Sequence, residues 1–211
     1  MGINYSKEVE AIRNSLKRNP NDLENLTELV CGLCLLAEEN LKDLGPSWPN
    51  TALAEELIDK AKPLLSTKEG AEKLDAVIDR MAQTIYSHPR LKVRLLELQL
   101  DALQALGGHS EEIASVKGSL EFNKANIRYA DSGKFKKIVN RGHLKTDPVE
   151  WTEKYEKVID AAEKEAYAKL SGMPRGMGFC HAYWCAKSEA LAKRGIDWRS
   201  PSLMNPGVLF D

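Results

Sequence analysis

Cys31 and Cys34 in CGLC, and His181 and Cys185 in CHAYWC, are the residues of this chain whose types could hold a metal. Each pair lies three or four residues apart, the spacing that sets two side chains on one face of a helix. Three thiolates and an imidazole make a donor set used in structural zinc sites. The setting argues otherwise. Zinc pairs favour knuckles and loops, whereas CGLC falls inside the most apolar stretch of the sequence. Free cysteine is among the most buried residue types, so packing beside Gly32, where another helix can come close, is the plainer expectation. A redox role for CGLC needs a helix N-terminus after a strand, and no strand pattern precedes it. Cys180 and His181 cannot serve each other as nucleophile and base, because consecutive helical side chains point about 100° apart. Zinc is the cofactor these residues would allow; none is expected.

Lys134, Lys136, Lys137, Arg141 and Lys145 form a second constellation, with Phe135 among them and no acidic residue from Ser132 to Thr146. Cations at this density follow a phosphate backbone, and an aromatic side chain can stack on a base. The competing reading is a solvated linker, or a loop docked on acidic residues elsewhere in the chain. Arg175, between Gly172, Gly176 and Gly178, could add one phosphate contact, although that glycine order matches no phosphate-loop fingerprint. The C-terminal tail carries Trp198, Leu203, Met204, Leu209 and Phe210. Such spaced apolar anchors either pack back on their own chain or dock into a partner.

These candidates must be positioned by helices. Hydrophobic residues make up 43 % of the 211 residues and recur at helical period in nearly every segment. The sequence predicts a helix from Ser6 to Asn19, and a second from Asp22 with an apolar centre. GPSWPN (45–50) then breaks the chain; a third helix opens at Thr51 and closes near 63–66, a fourth carries Ala71, Leu74, Val77, Ile78, Met81 and Ile85 in register and stops at His88-Pro89, and a fifth spans 90–106. A sixth starts at Ser110. A seventh is capped by Asp147 with Pro148 in its first turn and runs to Leu170, and an eighth spans 179–194. The tail has room for one short turn at 201–205.

The stretch HPRLKVRLLELQLDALQALGGHSEEIASVKGSLE, residues 88–121, resembles a tetratricopeptide-type helical hairpin. Pro stands before its first helix, Leu and Ala at packing positions, glycines at the turn, and acids at the start of the second helix. The resemblance implies stacked hairpins and protein binding.

The expected fold is all-α: a helical bundle or short stack of hairpins over 1–130, a basic connector at 131–146, and a two-helix appendage with an apolar tail at 147–211. Net charge is −1, but the first 131 residues carry five more acids than bases and the remainder four more bases than acids. No run approaches the roughly 20 apolar residues of a membrane span, and no secretory signal is read at the N-terminus. Met1-Gly2 with Ser6 fits a short acylation pattern. A cytoplasmic location without a membrane is expected, with reduced cysteines. No acid–base pair for catalysis emerges. The expected function is a non-enzymatic interaction or assembly module with a protein partner or self-association. The alternative is nucleic-acid binding through 134–145, and a zinc-stabilised protein comes third.

Overall fold

The computed structural model describes residues 5–108 and 110–210, with only the backbone at Asp43; the Met1-Gly2 pattern lies outside the described residues. Among them every regular element is helical, ten α-helices and four short 3-10 turns. No helix is long and apolar enough to cross a membrane.

The largest core belongs to the first five helices, α1 (Tyr5–Arg18), α2 (Leu23–Asn40), α3 (Asn50–Ala61), α4 (Lys68–Thr84) and α5 (Pro89–Ala105). Asp22 starts α2 by accepting the Asn25 N–H at 3.0 Å. Leu26, Leu29, Val30, Leu33, Cys34 and Ala37 are then buried, because α1, α3 and α4 all pack on this helix. Gly32 is required by that crowding: a Cβ there would come within 2.9 Å of a Val9 methyl on α1. Gly70 is held more tightly still, since its Cβ would meet the Leu64 carbonyl at 2.3 Å. Asn50 opens α3 from a fully buried position, donating to the Ala37 carbonyl at 2.9 Å and accepting from Asn40 at 2.8 Å. One amide thereby satisfies two groups at the end of α2.

Helix α5 also packs against α6 (Ser110–Asp131) through Leu96, Leu103, Val116 and Leu120, a second, smaller core. Beyond α6 the seventh helix departs from the sequence expectation. Residues 147–170 do not form one helix. They make a 3-10 turn at Pro148–Trp151, a single turn α7 (Glu153–Glu156) and then α8 (Ile159–Lys169). Asp147 caps the first piece as expected, accepting the Val149 N–H at 3.1 Å. Thr152 is extended, with ψ 147°, and its hydroxyl accepts the Tyr155 N–H, so a fresh helix begins there. The break lets Trp151 meet Phe122 of α6 edge-on at 5.8 Å. Tyr155 and Ile159 turn instead into a third core with Ala190 and Leu191 of α9 (Phe179–Ala192), Ile196 and Trp198. The last element, α10 (Pro201–Met204), is capped by Ser200.

Candidate nucleic-acid interface and the buried charge beside it

Residues 131–146 are exposed almost throughout, yet they are moored. Asp131 accepts from Arg90 and from the Glu153 N–H. Asn126 of α6 is 1 % exposed and clasps Val139 at both backbone groups, at 2.8 and 3.1 Å. Asn205 does the same for Lys145, at 2.8 and 2.9 Å. Each amide stands in for one rung of a β-ladder, which satisfies the backbone without a partner strand.

On this span Lys134, Lys136, Lys137, Arg141 and Lys145 form no ion pair with a carboxylate among the described residues. The docking of this loop onto acidic residues is therefore not what holds it. Lys137 leans toward the Tyr129 ring at 5.9 Å and Phe135 is 43 % exposed. The Arg141 guanidinium lies 4.2 Å over the Phe122 ring and donates to Ser119 and to the Gly118 carbonyl. Arg175 takes a separate place, 5.4 Å over the Tyr167 ring.

Arg141 also borders a cleft of about 340 Å³ that sequence reasoning missed. Its walls come from α4, α5, α6 and residues 140–151, and include Tyr86, Lys92, Phe122, Asn123 and Trp151. The Lys92 ammonium is pushed down by burial and by the Arg141 charge, while Asp79 pulls it back up.

Glu150, on the same wall, connects the cleft to a closed charge cluster. Its carboxylate accepts the Trp198 indole N–H at 2.6 Å. Behind it the Lys187 ammonium lies 5.1 Å from the Trp198 ring and 5.8 Å from those of Tyr155 and Tyr183. Glu163, 1 % exposed, faces that ammonium at 3.4 Å and accepts Tyr183 at 2.9 Å and Ser47 at 2.8 Å. The phenols of Tyr155 and Tyr183 are pushed up by burial and by the Glu163 carboxylate. Tyr86, 61 % exposed, lines the cleft beside this cluster. Tyr155 Oη, fully buried, meets no group in good hydrogen-bond geometry among the described residues.

This cluster is a fastening of three parts of the chain: Ser47 before α3, Glu163 on α8 and Lys187 on α9. Sequence periodicity held its signal, since Glu163 follows Ile159 by four residues on an apolar face and Lys187 stands between Trp184 and Leu191 at the same register. A charged residue that is buried in such a position needs a partner.

Burial raises the Glu150 carboxyl against the opposing pull of Lys187 and Trp198. A carboxyl raised in the fold above its unfolded value of about 4.3 favours the folded state at acid pH and loses that contribution as pH climbs through the folded value. Glu150→Gln keeps an acceptor for Trp198 and removes the buried negative charge. Its urea midpoint is expected above that of the native chain at pH 7, with the gain shrinking toward pH 4. A lower midpoint at both pH values would show that the ionised carboxylate is needed by Lys187.

The zinc set does not assemble. Cys34 is buried and its thiol, pushed up to about 11 by burial, contacts the Val77 carbonyl. Burial also raises Cys31. His181 instead meets Trp184 edge-on and the Phe210 carbonyl at 3.3 Å, and Cys185 is exposed beside Glu189. Among the described residues no group of three or more His, Cys, Asp or Glu could hold a metal. Thiolate ligands must ionise, and the apolar centre of α2 opposes that.

The tail divides. Trp198 is 5 % exposed, so it is a core residue of its own chain and offers nothing to a partner. Phe210 packs edge-on against Trp184 at 5.1 Å. Met204 is half-buried, whereas Leu203 is 70 % and Leu209 96 % exposed. Searches of protein-family models, curated proteins and solved structures find no match to this chain.

Proposed function

We propose that the chain binds single-stranded nucleic acid without catalysis, along residues 134–145. The observation that carries this reading is the row of five cations, none ion-paired to a carboxylate among the described residues, on an exposed and moored span that also presents Phe135. A row left unpaired is available to phosphates, and the exposed ring to a base.

Contact with five phosphates of a single strand gives a slope of about −3.5 in log K against log salt. Fluorescence anisotropy with labelled oligonucleotides should therefore show affinity falling roughly a hundredfold between 50 and 200 mM salt. Neutralising Lys134, Lys136, Lys137 and Arg141 together should abolish the complex, and Phe135→Ala should weaken it about tenfold. Absence of binding at low salt would overturn the reading.

Interaction with a protein partner, or self-association, is the second reading, favoured by the exposure of Leu203 and Leu209 on the tail. Apolar docking survives added salt, and this separates the two in the same titration.

A further inference from the structure

The cleft beneath the basic span holds polar groups that the fold leaves unanswered. The Lys92 ammonium has no ion pair among the described residues, and Arg141 borders the same space. Asn123 is 5 % exposed; its amide N–H₂ donates to the Ser119 carbonyl at 2.7 Å, while its own oxygen accepts from no described group. Asn140 is the converse. Its oxygen accepts twice from Thr146, at 3.0 Å each, and its N–H₂ finds no acceptor. Three aromatic rings, Tyr86, Phe122 and Trp151, line the same space. Pockets of about 300–1,000 Å³ with aromatic walls and a few convergent polar groups are the usual form of a small-ligand site.

We propose that this cleft binds a nucleoside 5′-monophosphate, its phosphate on Lys92 and Arg141 and its base against the Trp151, Phe122 and Tyr86 rings. Lys92 and Arg141 give a phosphate two cationic donors, charge-assisted contacts that a neutral ligand cannot use. Two carboxylates also stand on the wall: Glu150 accepts from Trp198, and Asp79 accepts the Gln83 amide at 3.0 Å while its charge acts on Lys92. Asn123 supplies an acceptor and Asn140 a donor, the complementary pair that a base edge requires. The site overlaps the proposed strand path only at Asn140, Arg141 and Leu144, and none of Lys134, Lys136 and Lys137 lines it.

The test is calorimetric titration of the full chain with AMP, adenosine and inorganic phosphate. AMP should bind saturably, with adenosine and phosphate each roughly tenfold weaker or more. Lys92→Met should weaken AMP binding about tenfold, and Lys92→Arg should keep it within a few-fold. Replacing Lys134, Lys136 and Lys137 together by serine should leave AMP binding unchanged while strand binding is lost, so the two proposals fail separately. A 5′-phosphorylated oligonucleotide that displaces AMP, where its 5′-hydroxyl form does not, assigns the ligand to a strand end; displacement by neither assigns it to a free nucleotide. No saturable heat with AMP at millimolar concentration, phosphate binding as tightly as AMP, or an unchanged affinity in Lys92→Met would each overturn the proposal.

Discussion

Glu163→Ala unfolds at a temperature about 10 °C below the native chain, the expected result of removing one partner from a buried ion pair. Such a cut costs about 3–5 kcal/mol, and in a chain of this size 1 kcal/mol moves the midpoint by about 2–4 °C. Three groups are stranded at once: the Lys187 ammonium among its rings, the Ser47 hydroxyl and the Tyr183 hydroxyl. Lys187 and Tyr183 sit on α9 and Ser47 before α3, so the loss spreads across the join between the bundle and the C-terminal helices. Lys187→Met should cost a similar amount by leaving Glu163 uncompensated. The double replacement Glu163→Gln with Lys187→Met should then lose less than the sum of its parts, by at least about 1 kcal/mol. Strict additivity in thermal or urea unfolding would mean that the pair is not coupled.

A second large effect is expected at Glu156, whose carboxylate performs a helix cap from the far side of the sequence. Helix α5 begins without a side-chain cap at His88. Glu156 fills that place, accepting the Arg90 N–H at 3.0 Å and the Leu91 N–H at 3.2 Å, and pairs with the Arg90 guanidinium at 2.9 Å. Its anionic charge also suits the positive end of the helix dipole. Loss of a charged hydrogen-bond acceptor costs about 1.5–3 kcal/mol. Glu156→Ala should therefore lower the midpoint by about 5 °C. Hydrogen exchange gives the sharper readout: the Arg90 and Leu91 amides should exchange much faster in Glu156→Ala and at an intermediate rate in Glu156→Gln. Unchanged protection of both amides would show that this cap does not form in solution.

The helical class was legible because its signals are local. Asp22 and Asp147 mark helix starts by chemistry that acts within three residues, and GPSWPN breaks the chain wherever it occurs. The interruption at Thr152 was not legible. Trp151, Tyr155, Val158 and Ile159 keep helical phase across it, and a hydroxyl cap inside a periodic run leaves the period intact. The site shows the same limit at longer range. The basic span could be read from composition alone, but the residues that moor it, Asn126 and Asn205, lie 13 and 60 positions from what they hold. Ser47 and Glu163 stand 116 residues apart, and Lys92 faces a wall supplied by residues some fifty positions later. The cysteines show a simpler limit. Spacing on two helices says which pairs share a face, and nothing about whether the faces meet.

The moorings at Asp131, Val139 and Lys145 have one more consequence. A free loop of this composition would be ordered by its ligand, and the lost chain entropy would be charged against binding. Here that loss has already occurred during folding. In the proposed reading the backbone beneath the cations is likewise fixed at these three points, so the span would act as a ruler, favouring a polyanion whose charges repeat at the matching spacing.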